Sequence, residues 1–538
     1  MVKREKWIGD IIISVIVATI ITGAWFILNW NIGFDLADEG YYWYGSKRVL
    51  SGDVPMRDFT SYDIGRYYWA AAWMNLLGGS GIRNARVAAW IFQWGAVWGG
   101  VALCLWAIPD KMVVGFRVLM SVIFASALSL WMFPYYKVFD HGASIAVIGM
   151  VVLLLSAKGA RHWFFAGCIL GLVSMIGRNH GLYGLVAAFG AMIFLRLSNG
   201  NNIPRGSHML QFIFGFILAY SPTFLMMLAI PEFYEAFTES IIGLIESGTT
   251  NIGLPIPWPL NFEHREIGWI LWLSKFFPGL GFIMILLVPV LTLVFFAANR
   301  NFKLSTAHIL LLAGALAGIP YAHYAYSRAD VTHLALGIFP LLISVQAVGM
   351  TLRKPVICCL GLFLVSLIAV SNDQLIFRKN ILGAEVVEVE IDGLEITTAP
   401  HIAQRLAAAT AALQRHPVAA QKFLAMPDMP GLHAIRNVNM PIWEIYSTIP
   451  RNSVFEQQEL IRLNSSPPEI IIISNHALDQ REEFRFSRMH PDIYSWVRSN
   501  YVLEDAAAFE SGHLYRRKSN IEVYLPKSRP GLMGVVNN

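Results

Sequence analysis

Residues 35–48 read DLADEGYYWYGSKR and place Asp35, Asp38 and Glu39 among Tyr41, Tyr42, Trp43 and Tyr44, directly after an apolar run. A carboxylate held beside an alcohol can take its proton as the oxygen attacks, which is the work of a general base. A second acid, Asp140, stands in PYYKVFDH, close to another apolar run, and Lys137 precedes it in the same motif. Further cations lie at or near the ends of apolar runs: Arg178 with His180 in IGRNHGLYG, and Arg328 with His323 and His333 in YAHYAYSRADVTHLA. Guanidinium and ammonium groups suit phosphate in charge and geometry, so acids and cations of these kinds fit a reaction in which a hydroxyl is activated and an anionic phosphate departs.

Each feature also has an ordinary reading. An aspartate before a helix can be an N-cap, and Asp35 suits that part. Cations at span ends can snorkel to headgroups, and tyrosines at the interface can form an aromatic belt as readily as a platform for a sugar ring. Against the ordinary reading stands the grouping of acid, cation and imidazole in Arg328, Asp330 and His333, which suits an anion that must be held and then released.

These residues must be positioned by a membrane protein. The 538-residue chain is 55% hydrophobic and only 14% charged, against about 25% charged residues in a soluble domain. Its formal charge of +5 would suggest nucleic acid in a soluble chain, but many cations sit in short loops between apolar runs, where they set topology. No nucleic-acid partner is expected. All four cysteines lie inside apolar segments, so neither a disulfide framework nor a thiolate metal site is implied. The N-terminus is basic, but the run after it is long and lacks a small-residue cleavage site, which points to a retained first helix.

Apolar runs at 9–30, 86–108, 113–133, 142–157, 163–177, 181–197, 209–230, 268–298, 306–325, 334–351 and 355–371 predict about eleven transmembrane helices. With Lys3, Arg4 and Lys6 on the cytoplasmic side, alternation puts Lys111, Lys158, Arg161, Arg205, Arg300, Lys303, Arg353 and Lys354 there too, as the positive-inside bias requires. The opposite, outer face then receives a long first loop at about 31–85, the Asp140 loop, a loop at about 231–267, the Arg328 loop and the tail. In the third of these, EFYEAFTESIIGLIE reads as an amphipathic helix lying on the bilayer, and GLPIPWPL as a proline-punctuated linker or lid.

Residues 1–371 thus form a membrane module and 372–538 an extracytoplasmic α/β domain. In the tail, FLAM (423–426) and PEIIIISN (468–475) read as buried strands, and 401–416 and 455–463 as amphipathic helices. It carries no glycine-rich nucleotide motif and no metal-ligand spacing.

The acid pair in a long first outer loop, the following SGDVPMRDFTSYDIGRYYW, the second outer acid and the RAD..H motif together resemble the GT-C superfamily of polytopic glycosyltransferases, which use a polyprenyl-phosphate-linked sugar. The group includes protein O-mannosyltransferases, aminoarabinose transferases acting on lipid A, and galacturonosyltransferases acting on lipopolysaccharide core. The resemblance covers about the first 370 residues; the tail matches only as an outer α/β domain. It implies a GT-C-like fold and catalytic roles for Asp38, Glu39 and Asp140, with Asp38 as base. It also implies donor-phosphate contacts from Lys137, Arg178 and Arg328, with His333 beside the last. Around YDIGRYYW the chain lacks the acid-lysine-proline-proline signature of the aminoarabinose transferases, which argues against their particular substrate.

The implied partners are a polyprenyl-phosphate-sugar donor, a glycolipid, glycan or protein acceptor, and the bilayer itself. In-line displacement would invert the anomeric centre. A monophosphate leaving group can be met by arginine and lysine, so no obligatory metal is expected, although paired carboxylates could hold Mg²⁺ or Mn²⁺. The implied location is the inner (cytoplasmic) membrane, with active site and tail on the periplasmic or outer face. The chief alternative is a transporter or flippase for an anionic lipid or lipid-linked sugar. Such proteins often show inverted repeats with broken helices at the midplane, whereas here the charges crowd one face.

Overall fold

The computed structural model describes residues 2–198, 205–247, 251–261, 267–299, 303–511 and 517–527. The chain divides into two compact units. The first comprises residues 1–30, 62–79 and 83–384; the second comprises 31–61, 80–82 and 385–538. The first half of the long first loop, which the sequence reading places with the membrane module, therefore groups with the tail.

In chain order the helices of the first half are α1 (Val2–Asn29), α2 (Asp38–Leu50), α3 (Ile64–Leu76), α4 (Ile82–Ala107), α5 (Val114–Trp131), α6 (Val138–Leu155), α7 (Ala160–Ile176), α8 (Arg178–Leu197), α9 (Gly206–Ala229) and α10 (Phe233–Ser247). There follow α11 (Trp269–Ala298), α12 (Thr306–Tyr326), α13 (Val331–Gly337), α14 (Phe339–Thr351), α15 (Pro355–Val370) and α16 (Leu375–Leu382). All but α2 belong to the first unit, save the opening residue of α4.

The protein is a multi-pass α-helical membrane protein. Each of the eleven apolar runs coincides with helix, but among the described residues only eight helices are long and apolar enough to cross a bilayer, or up to ten if bent pairs count as single spans. With the shorter apolar helix Ala160–Ile176, these account for the eleven runs. Helix α7 has 17 residues, about 26 Å at 1.5 Å per residue, short of a hydrocarbon core of about 30 Å. The run at 331–351 bends by 58° between α13 and α14, where Pro340 cannot continue the preceding helix. The run beginning at Pro355 turns by 90° before α16.

On α1, Ile12, Ile16 and Ile20 are exposed along one stripe, the face a helix turns to lipid. Helices α7 and α9 approach most closely through small residues: a Cβ at Gly167 would strike the Phe212 carbonyl, and one at Gly215 the Phe164 carbonyl. Such contacts replace the hydrophobic drive that lipid cannot supply. Buried Arg117 of α5 pairs with Asp10 of α1 at 3.0 Å and donates to the Pro109 carbonyl at 2.9 Å.

The second unit adds α17 (Pro400–Arg415), α18 (Pro430–Arg436), α19 (Ser453–Ser465), α20 (Phe486–Met489) and α21 (Pro491–Asn500). A hairpin pairs β1 (Val387–Ile391) with β2 (Leu394–Thr398) across Asp392 and Gly393, both at positive φ, as a two-residue hairpin turn demands. A four-stranded sheet runs in the order β3 (Phe423–Met426), β4 (Ile470–Asn475), β6 (Arg517–Pro526), β5 (Tyr501–Ser511). Strands β3 and β4 are parallel and continuously buried, which is why they read as unbroken apolar runs rather than alternating ones. The other pairs are antiparallel.

Candidate functional site

In the first unit, three cations from three separate stretches of chain meet on Tyr62 and Asp63. Asp63 precedes α3 with extended backbone. Its carboxylate accepts from the backbone N–H of Arg178 at 2.8 Å and pairs with the Arg178 Nε at 2.6 Å. It thus serves the N-terminus of α8, whose first residue is Arg178. The same guanidinium donates to Ser240 Oγ of α10 at 2.7 Å and lies 5.1 Å from the Phe237 ring centroid. Lys137 donates to the Tyr62 hydroxyl at 3.1 Å and sits 4.8 Å from its ring centroid. Arg66 lies over the same ring at 4.7 Å, within the range of a cation–π contact.

Arg66 is itself held by Asp140 in the first turn of α6. Its Nη1 and Nη2 donate to the two carboxylate oxygens at 3.3 and 3.2 Å, and Nη2 also reaches the Ile176 carbonyl. Asp140 further accepts from His180 Nε2 at 2.9 Å and from the Tyr324 hydroxyl at 3.1 Å. With Nε2 donating, His180 Nδ1 accepts from the Tyr321 hydroxyl at 2.8 Å. Arg66, Asp140 and His180 are all buried. Their register depends on Gly65, where a Cβ would lie 2.6 Å from the Met175 carbonyl oxygen, so α3 can cross the end of α7 only without a side chain there.

Arg328 and His333 form a second group in the same unit. Asp330 accepts from the His333 backbone N–H at 2.8 Å, capping α13, and meets His333 Nδ1 at 2.8 Å and Arg328 Nε at 2.8 Å. Burial opposes ionisation of Asp330, but the hydrogen bonds from His333 and the adjacent Arg328 charge hold its carboxyl below the ordinary range. Arg328 also donates to the Ile252 carbonyl at 3.1 Å, and Asn251 donates to Ser327 Oγ at 2.9 Å, so this corner fastens the start of the proline-punctuated segment.

Asp38 and Glu39 belong to the second unit, as the first two residues of α2. The N-cap of α2 is Ala37, with no side-chain cap, so Asp35 is not the cap that the sequence suggests; it closes the turn before the helix, its oxygens accepting from the backbone N–H of Ala37 at 2.9 Å and of Asp38 at 3.1 Å. Glu39 is buried and accepts from the Asp35 N–H at 3.3 Å. Asp38 is half-buried at the positive end of the helix dipole. The acid pair is followed by Gly40, where α2 crosses α18 at backbone contact: a Cβ there would lie 2.5 Å from the Gly431 Cα, and the Gly431 N–H donates to the Leu36 carbonyl at 2.9 Å. Tyr41, Tyr42, Trp43 and Tyr44 are all buried. Tyr44 accepts from the Met440 N–H at 2.8 Å, Tyr41 packs 5.2 Å from the Tyr446 ring, and Trp43 donates to the Ser80 carbonyl at 2.8 Å. These aromatics are core residues, neither sugar platform nor interfacial belt.

Of the residues singled out from sequence, Lys137, Asp140 and Arg178 thus join one network, Arg328 and His333 another in the same unit, and Asp38 and Glu39 open a helix of the second unit. The sequence reading passed over Tyr62, Asp63, Arg66, Tyr321 and Tyr324. Arg66 carried a signal: a cation inside the apolar, aromatic run IGRYYWAAAW is bound to be buried with a partner. Among the described residues, no group of three or more His, Cys, Asp or Glu side chains is arranged to hold a metal ion.

No protein-family model matches the sequence, and comparison with curated protein sequences finds no significant match. Among solved structures, the chain is similar to ArnT from Cupriavidus metallidurans in the apo state, at 12% identity and a TM-score of 0.45, covering 95% of this chain and 98% of that one. It is also similar to the Archaeoglobus fulgidus oligosaccharyltransferase in the apo form, at 10% identity and a TM-score of 0.44, covering 87% and 69%. The archaeal oligosaccharyltransferase AglB from the same organism, in complex with an inhibitory peptide and a dolichol-phosphate, matches at 10% identity and a TM-score of 0.43, covering 96% and 74%. What this chain's own residues can do chemically is independent of these distant likenesses.

Proposed function

We propose that this protein is an integral-membrane, inverting glycosyltransferase that moves a sugar from a polyprenyl-phosphate donor to an envelope acceptor at the outer face of the inner membrane. The observation that carries the reading is the convergence of Lys137 and Arg178 on Tyr62 and Asp63 beside the start of α6 and α8, with Arg66 buried behind them on the Tyr62 ring. A cation group of this kind suits a phosphate that must be bound and then released as a leaving group. Arg328 and His333 would extend it. Asp38 would take the proton of the acceptor hydroxyl as the new glycosidic bond forms, the bond from the sugar to the phosphate breaks, and the polyprenyl phosphate leaves with the electron pair. Glu39 braces the turn that presents Asp38.

In this reading the phosphate charge is met by side-chain cations, with no obligatory metal. The acceptor is lipid A, lipopolysaccharide core, another glycan or a protein, and the second unit lies on the periplasmic or outer side. Purified protein in lipid nanodiscs, supplied with polyprenyl-phosphate sugars and envelope acceptors, should transfer sugar. Mass spectrometry of envelope glycolipids from a deletion strain should show which substituent is lost. An envelope of unchanged composition, together with no transfer in vitro, would refute the proposal.

A further inference from the structure

Asp140 is an obvious candidate for a second catalytic acid, yet its surroundings suit a different task. A carboxylate offers about four acceptor sites, and Asp140 already accepts four hydrogen bonds: two from Arg66, one from His180 and one from Tyr324. It is only 2% exposed. Three of the four hydrogen bonds fall on Oδ1 and one, from Arg66 Nη1, on Oδ2; a buried carboxylate spent on a guanidinium in this way is poorly disposed to take a proton from a substrate.

What the carboxylate does hold is Arg66. The guanidinium, held by two hydrogen bonds to the two carboxylate oxygens, lies over the Tyr62 ring at 4.7 Å from its centroid, with the Phe139 ring centroid 5.8 Å away. Tyr62 in turn receives Lys137 on its hydroxyl at 3.1 Å, and its neighbour Asp63 carries Arg178. Four elements are pinned through one carboxylate: α3 by Arg66, α6 by Asp140 itself, α8 by His180 and α12 by Tyr324. The buried charged pair thus lies behind Tyr62, which receives Lys137, and next along the chain comes Asp63, which holds Arg178.

We infer that Asp140 and Arg66 are positioning residues: with His180 and Tyr324 they form a buried brace that sets Tyr62 and Asp63, and through them the spacing of Lys137 and Arg178 for the single phosphate of the donor and of the polyprenyl phosphate it releases. This inference rests on the proposed function and deepens it. A positioning role and a catalytic role separate in kinetics. Loss of positioning weakens donor binding, because the cations no longer converge, and leaves the chemical step of bound donor largely intact. Loss of a base lowers kcat and spares binding.

The test compares wild-type protein in nanodiscs with Asp140→Asn, Tyr324→Phe and the double variant Arg66→Gln with Asp140→Asn. Equilibrium binding of radiolabelled undecaprenyl phosphate is measured beside the steady-state kinetics of transfer. The double variant removes both buried charges together, which spares the fold where Asp140→Asn alone would strand an unpaired guanidinium. The brace predicts a Kd for undecaprenyl phosphate and a donor KM raised roughly tenfold in Asp140→Asn and in the double variant. Tyr324→Phe should show a smaller rise in the same direction, and kcat should stay within about twofold throughout. A folded double variant with wild-type affinity, or a kcat reduced a hundredfold at unchanged Kd, overturns the brace and leaves the proposed function standing. Wild-type protein that neither binds undecaprenyl phosphate nor transfers sugar overturns the proposed function and the brace with it.

Discussion

Substituting alanine at Gly40 tests how tightly the fold holds the acid pair. The added Cβ would lie 2.5 Å from the Gly431 Cα and closer still to the Gly431 nitrogen, whereas ordinary carbon contacts begin near 3.5 Å. The backbones would have to part by about 1 Å. Neither has slack: Gly431 N–H is bonded to the Leu36 carbonyl at 2.9 Å, and the Gly40 N–H to the Asp35 carbonyl at 3.0 Å. Overpacking of this kind costs about 1–3 kcal/mol, and losing the bond to Leu36 adds about 1 kcal/mol, so Gly40→Ala should destabilise the protein by about 3 kcal/mol or displace the first turn of α2. Thermal unfolding and sugar transfer are to be measured on the full chain in nanodiscs. The expected result is a clear drop in Tm, a loss of transfer, or both, while Gly23→Ala, which has open space, is neutral or mildly stabilising. Wild-type Tm and wild-type transfer in Gly40→Ala would refute the claim that backbone contact positions Asp38 and Glu39.

Four further expectations concern other features of the protein. In the second unit, burial pushes the Glu459 carboxyl up to about 7, only partly offset by Arg462 and the Trp443 N–H; its contribution is full below its ordinary range and fades as pH rises through 7. Glu459→Gln should therefore flatten the fall in Tm between pH 5 and 8, a difference of up to about 3 kcal/mol, and an unchanged slope would count against it. Burial has the opposite effect on His433, which is stacked on Phe423 and pushed down to about 3, so stability is lost as pH falls from 6.5 towards that value, and acid melting curves should show it. Arg117→Ala, by stranding Asp10, should cost about 3–5 kcal/mol, and adding Asp10→Asn should restore much of that in the same unfolding assay. Transfer measured with excess EDTA should match transfer with Mg²⁺ or Mn²⁺; strict dependence on either ion would assign the phosphate charge to a metal.

Much of the frame can be read from residue order, because lipid and sheet burial write themselves as apolar runs. All eleven such runs are helical, and FLAM and IIIIS are the buried parallel strands that continuous hydrophobicity implies. Helix breaks are less legible. The bends before Phe339 and after Val370 interrupt continuous apolar runs, so a window reading does not locate them. The first-loop tyrosines are read wrongly for a related reason: their burial follows from the backbone crossing of Gly40 and Gly431, residues nearly 400 apart in the chain, and nothing local announces it. Of the cation network, Lys137 and Arg178 are visible as charges at span ends. The residues that bring them together, Tyr62, Asp63 and Arg66, have partners 74 to 115 positions away, beyond the reach of motif spacing.

The most direct test of the central claim is transfer by Asp38→Asn, with folding checked by thermal unfolding in the same nanodiscs. The substitution keeps size and the position at the start of α2 and removes only the ability to accept a proton. The expected result is a protein of near wild-type Tm that binds undecaprenyl phosphate normally and transfers sugar at least a hundredfold more slowly. Full transfer by that variant would contradict it.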